Sequence, residues 1–139
     1  MENYVILEAK PIKDIRGTFY IPAYQRGYRW ERTQVKTLLN DLYQCMEANG
    51  QEKDYCLQPV VVQKKGELQY DLIDGQQRLT TIYILLRYVH QNYFSFEYET
   101  REKTKDFLNN MDPQLAQTNI DFFHIYQAYT TIKDWLEET

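Results

Sequence analysis

The stretch Leu72-Ile73-Asp74-Gly75-Gln76-Gln77-Arg78-Leu79-Thr80-Thr81 changes periodicity in its middle. Upstream, residues 68–73 alternate apolar and polar side chains, the pattern of a half-buried strand. Downstream, Leu79, Ile82, Leu85, Leu86 and Val89 recur at helical spacing and predict an amphipathic helix. Asp74-Gly75 makes the turn between them. Such a junction aims backbone N–H groups and the positive end of a helix dipole at one point. That point suits a phosphate or another anion. Asp74, Gln76, Gln77 and Arg78 surround it with a carboxylate, two amides and a guanidinium. The competing account is an Asp N-cap followed by a solvated first turn, since Asp caps helices for reasons of stability alone. The adjacent glutamines and the arginine weigh against that account without removing it.

Moving outward, residues 57–62 are continuous and β-branched and predict a buried strand beginning near Pro59. Lys65-Gly66-Glu67 turns it into the strand before the junction, as an antiparallel partner. Earlier, residues 4–7 are short and β-prone, a first strand or a docking segment. Residues 11–15 read as a turn or one helical turn. Gly17–Ile21 reads as a strand that Pro22 ends or confines to an edge. Thr33 is the predicted cap of a helix with an inward stripe of Val35, Leu38, Leu39, Leu42 and Met46, closed by Asn49-Gly50. Beyond the junction helix, residues 94–99 alternate again, and a short helix from about residue 100 carries Phe107 and Leu108 inward. After the break at Met111-Asp112-Pro113, a last helix starts at Asn119 or Asp121 and runs through Ile125, Tyr129, Ile132 and Leu136. Its pattern reaches the last residues with no capping signal, which suggests a fragment of a longer protein, although natural C-terminal helices also end this way.

The chain has 139 residues, 43% hydrophobic and 26% charged. That is enough for one globular domain with a core and too few for two comfortable ones. No apolar run approaches the roughly 20 residues that span a bilayer, and the N-terminus lacks a signal-peptide layout. The expectation is a cytoplasmic protein with no membrane partner. Cys45 and Cys56 have no metal-type spacing and are expected as two buried, reduced thiols. With only His90 and His124 as histidines, a structural zinc site or His-based nuclease centre is not readily assembled. His90 is expected to complement the negative end of its helix, and His124 to pack or cap. Residues 10–36 carry a net +5 within a chain of −4, leaving −9 for the rest. An acidic body with one basic segment argues against a DNA-coating protein and agrees with a local anion site.

The second chemistry-bearing region is Ile21-Pro22-Ala23-Tyr24-Gln25-Arg26-Gly27-Tyr28-Arg29-Trp30. Its arginines offer guanidinium forks for phosphate, and Tyr24, Tyr28 and Trp30 offer aromatic faces for a base. An exposed loop whose aromatics cover the sheet edge is the plainer account. If the two regions meet, they form a polyanion pocket. Asp74 would repel a phosphate there unless a divalent cation lies between, which makes Mg²⁺ the natural bridge. Gln76 or Gln77 is then placed to orient a water, and Arg78 or Arg26 to stabilise charge on a transferred phosphoryl group. Walker A spacing is absent. Tyr98-Glu99-Thr100-Arg101-Glu102 reads mainly as a charged strand-to-helix junction.

Ile21-Pro22-x-Tyr24-Gln25-Arg26-x-Tyr28-x-Trp30 and Asp74-Gly75-Gln76-Gln77-Arg78-Leu79-Thr80-Thr81 resemble the paired motifs of GmrSD-type restriction proteins, in their amino-terminal, GmrS-like domain. Tyr98-Glu99-Thr100-Arg101 and Asn119-Ile120-Asp121 resemble segments that follow in that family, and the likeness spans about residues 4–136 in the right order. The resemblance implies an α+β, ParB/sulfiredoxin-like fold: a small mixed sheet with packed helices and a helical C-terminal part. It implies a single domain over residues 1–139, with a ParB-like core over 1–95 and the start of a helical extension over 96–139. It also implies a module that binds and hydrolyses a nucleoside triphosphate with Mg²⁺ and regulates a separate C-terminal nuclease domain in a DNA-defence system. DNA would be engaged through the full-length protein. By the same resemblance Asp74, Gln76, Gln77 and Arg78 are the catalytic set, with Asp74 meeting the metal. Tyr24, Gln25, Arg26, Gly75 and Thr80 are nucleotide- or phosphate-binding, and Tyr28, Arg29 and Trp30 are candidate DNA or base contacts. The rival readings are a DNA-binding or modification-sensing module without catalysis and a plain scaffold. Apolar surface on the last helix would be equally compatible with a truncation and with a homodimer contact.

Overall fold

The computed structural model describes residues 4–7, 15–49 and 60–138. Along the chain lie β1 (Tyr4–Leu7), β2 (Gly17–Ile21), α1 (Arg32–Asn49), β3 (Val60–Gly66), β4 (Gln69–Asp74) and α2 (Gln76–Tyr88). They are followed by β5 (Phe94–Tyr98), α3 (Glu102–Asn109), a single 3₁₀ turn (Leu115–Gln117) and α4 (Ile120–Glu138). The fold is α+β, as the sequence indicates. The five strands form one mixed sheet in the order β1-β3-β4-β2-β5. β1, β3 and β4 pair antiparallel, whereas β4–β2 and β2–β5 pair parallel.

The β3–β4 hairpin turns at Glu67-Leu68, one residue later than expected, with Leu68 in the left-handed region at φ 58°. Only Val60 and Val62 of β3 are buried. This strand therefore alternates, in place of the continuously buried strand expected. α1 begins at Arg32, so Thr33 lies within the first turn and is not the cap. Instead Glu31 N–H donates to Gln34 Oε1 at 2.7 Å. Val35, Leu38, Leu39 and Leu42 form the expected inward stripe; the Met46 side chain and residues 11–14 and 57–59 lie outside the described residues. Cys45 is half-buried and disulfide-bonded, which overturns the expectation of a reduced, buried thiol; Cys56 also lies outside the described residues.

α2 lies between two covers. Tyr83 packs against Phe94 and Phe96 of β5 at ring distances of 5.6 and 5.4 Å, and α4 packs on its other side. α4 also packs on α1 and α3, with Phe122 stacked on Phe107 at 4.5 Å. Asn119 caps α4, its Oδ1 accepting from the N–H groups of Asp121 and Phe122 at 2.7 and 3.3 Å. Among the described residues no helix is long and apolar enough to cross a membrane.

Candidate functional site

The turn that enters α2 is built by Gly75, not by Asp74. Asp74 is the last residue of β4 and is exposed. Gly75 is the N-cap at φ 105°, and among the described residues no side chain caps the helix. The account of Asp74 as a helix cap is thereby corrected. A Cβ at Gly75 would lie 2.5 Å from Val60 Cγ1, and a positive φ disfavours any other residue there. The first-turn N–H groups, which have no intrahelical acceptor, belong to residues that line a cavity of about 390 Å³.

The opposite wall is the loop after β2, held by the two adjacent glutamines. Gln76 Nε2 donates both its protons to the loop, to Gln25 Oε1 at 2.9 Å and Arg26 O at 3.0 Å. Gln25 Nε2 in turn donates to Leu72 O at 2.6 Å. Gln77 acts as a substitute peptide group: its Nε2 donates to Gly27 O at 3.2 Å and its Oε1 accepts from Arg29 N at 2.7 Å. An amide offers both a donor and an acceptor, so one side chain satisfies two loop backbone groups that have no ladder partner. Thr81 gives its hydroxyl proton to Gln77 O at 2.8 Å. Tyr28 therefore donates to Thr81 Oγ1, at 2.6 Å.

The two sequence motifs meet. Gln25, Arg26, Trp30, Ile73, Asp74, Gly75, Gln76, Gln77 and Arg78 line the cavity together. Four of the sequence-predicted residues are placed elsewhere. Tyr24 is 75% exposed and outside the lining. Thr80 is buried, and its hydroxyl finds no hydrogen-bond partner among the described residues. Tyr28 is 1% exposed, so its ring offers no face to a base. Its burial also pushes the phenol well above its ordinary pKa, against a smaller opposing effect of the Thr81 bond. Arg29 turns away from the cavity to pair with Asp121.

That pairing belongs to a buried cluster the sequence did not reveal. Asp121, in the first turn of α4, is 3% exposed. Its Oδ1 accepts from Arg29 Nη1, and its Oδ2 accepts from Arg101 Nη1 at 2.6 Å. Arg29 Nη1 also donates to Tyr28 O at 2.8 Å. Beside this cluster His124 is buried, with Nδ1 3.0 Å from Ile120 O and Nε2 3.1 Å from Glu31 Oε2, so it packs and ties α4 to the residue before α1 and caps no helix end. An acidic residue in a helix's first turn is ordinary local chemistry, and its arginine partner lies 92 positions away. The signals that could have pointed to the cluster are the family-like segments ending in Arg101 and Asp121, and Gly27, a glycine with Arg26 and Arg29 nearby and no turn pattern around it. A Cβ there would lie inside van der Waals contact with the Asp121 carboxylate.

With this geometry in view, residues 9–137 match the family model described as the N-terminal domain of the GmrSD restriction endonuclease. The chain belongs to this family. Both motifs that wall the cavity, and the Arg29–Asp121–Arg101 cluster behind it, fall within the matched residues. The GmrSD N-terminal domain is a module of a restriction and DNA-defence protein. No curated protein and no solved structure matches the chain.

Proposed function

We propose that this GmrSD N-terminal domain binds a nucleoside triphosphate in the cavity between residues 25–30 and the first turn of α2. There it supports hydrolysis of the phosphoanhydride and so regulates a nuclease domain of the same system. The observation that carries the reading is the N-terminus of α2, without a side-chain cap among the described residues, opening onto a cavity walled by Arg26 and Arg78. First-turn N–H groups that lack an intrahelical acceptor, the helix dipole and two guanidinium groups favour the same ligand charge. Trp30, half-buried in the wall, offers an aromatic face to the base.

Asp74 opposes a bare phosphate, so the nucleotide enters as its Mg²⁺ complex. Among the described residues no cluster of three His, Cys, Asp or Glu is set to hold a metal ion. One carboxylate together with phosphate oxygens and water is a common Mg²⁺ environment, and Asp74 fits it. When bound, the ion neutralises phosphate charge. The chain's own groups do the rest. Arg26 and Arg78 stabilise charge on the terminal phosphoryl as a water oxygen attacks phosphorus and the bond to the diphosphate breaks. Gln76 and Gln77 hold the loop wall in place, because the Gln76 amide protons and Gln77 Oε1 are spent on it. The same geometry favours a nucleotide over DNA at this loop, since Tyr28 is buried and Arg29 is paired.

Calorimetric titration with ATP, GTP, CTP and UTP, each with and without Mg²⁺, tests the reading. Metal-dependent binding of at least one nucleotide is expected for the wild type. It should be lost in Asp74→Ala and Arg78→Ala, whose far-UV circular dichroism stays native. Wild-type affinity in both variants would remove the site assignment.

A further inference from the structure

We infer that Asp121, on the C-terminal helix α4, is a positioning residue for the cavity, holding the loop wall that presents Arg26 and Trp30 to the first turn of α2. The chain of contacts is continuous. The Asp121 carboxylate occupies the space where a side chain on Gly27 would be and takes the Arg29 guanidinium. Gly27 O and Arg29 N are the two backbone groups that Gln77 bridges. Arg26 and Trp30 flank these two residues and line the cavity. The loop is thus clamped between α2 on one side and α4 on the other.

The carboxylate is chosen for the task by its charge as well as its shape. It is almost wholly buried yet carries two guanidinium groups, one from the loop and one from Arg101 at the entry to α3. It also lies in the first turn of α4, where the helix dipole favours an anion. Asparagine fills nearly the same volume but cannot satisfy two guanidinium groups, so Asp121→Asn releases Arg29 while leaving the packing of Phe122 and Ile125 in place. Arg29 then reorients and the wall at residues 26–30 loosens.

This deepens the nucleotide-cavity reading and rests on it only for the affinity measurement. The chain has two tryptophans, Trp30 and Trp135. Labelling with 5-fluorotryptophan gives two ¹⁹F resonances, assigned by a Trp135→Phe variant. In the ligand-free protein, Asp121→Asn should shift or broaden the Trp30 resonance and leave that of Trp135 unchanged. Ile132→Val, a core change on the same helix, should move neither. Gly27→Ala, which drives a Cβ toward the carboxylate from the loop side, should repeat the Trp30 effect and serves if Asp121→Asn does not fold. In the four-nucleotide titration with Mg²⁺, Asp121→Asn should weaken Kd by about tenfold or more. A Trp30 resonance unchanged in Asp121→Asn, or unchanged in Gly27→Ala where only that variant folds, would overturn the inference. Absence of nucleotide binding by the wild type would overturn the function proposed above, while the Trp30 resonance still decides the role of Asp121.

Discussion

Tyr28 enters the core as a neutral phenol. In the unfolded chain a tyrosine ionises near pH 10, whereas burial holds the folded Tyr28 protonated to well above that value. The unfolded state therefore binds fewer protons than the folded state once pH passes 10, and stability falls as pH rises. Below pH 10 the contribution is fully present. Tyr28→Phe should cost about 1 kcal/mol at neutral pH through the lost Thr81 bond. It should also flatten the alkaline limb, by up to about 1.4 kcal/mol per pH unit between roughly pH 10 and 12. Urea midpoints against pH for both proteins check this, since the other tyrosines titrate alike in each. Parallel alkaline limbs would contradict it. The sequence marked Tyr28 as an aromatic face in a loop, and the aromatic character was legible. Its burial was not, because the hydroxyl's partner lies 53 positions away on α2.

Both ends of α2 demand a left-handed backbone conformation, met by glycine at one end and by histidine at the other. At the N-terminus Gly75 has φ 105° and sits against Val60. Gly75→Ala should destabilise by about 1–3 kcal/mol through strain and overlap. At the C-terminus His90 has φ 62°, with His90 N–H donating to Arg87 O at 3.1 Å and Gln91 N–H to Leu86 O at 2.8 Å. These two bonds close a Schellman turn, whose left-handed position favours glycine. His90 thus lies just past the helix, and its part there is conformational, which differs from the dipole partner expected. It is exposed, so His90→Gly relieves strain at no cost in burial and should stabilise by about 0.5–1 kcal/mol. Thermal unfolding should show Tm lowered in the first variant and raised in the second; shifts of the same sign would refute the argument. The helix itself was legible from Leu79, Ile82 and Leu86. The burial of Thr80, Thr81, Tyr83 and Ile84 on its other faces was not. A hydrophobic period reports an apolar face, and these positions are covered by a second layer that local sequence does not describe.

At the scale of the molecule, the strands and helices could be read in order, but not the way they are arranged. β2 lies between β4 and β5, pairing parallel with both. That placement depends on contacts across long stretches of chain, whereas the β3–β4 hairpin follows from a local turn. The same holds for α4. By the family resemblance it is the start of an extension beyond a core over residues 1–95. In the fold, Ile125, Ala128, Thr131 and Ile132 are at most 1% exposed, and α4 packs against α1 and α2. A fragment of residues 1–95 would expose the outer face of α2, including part of the surface around Thr81 and Tyr83, and would leave Arg29 without Asp121. Removing Ile125, Ile132, Phe107, Leu108 and Phe122 from the core, at about 1.5–3 kcal/mol each, takes away about as much as the roughly 5–15 kcal/mol that holds a domain of this size together. The fragment should therefore lack a cooperative thermal transition and bind ANS, while the full chain melts in one step. A sharp unfolding transition in the fragment, which keeps only the first two residues of β5, would show that β1–β4 with α1 and α2 are a self-sufficient core, and that α4 is an appended element after all.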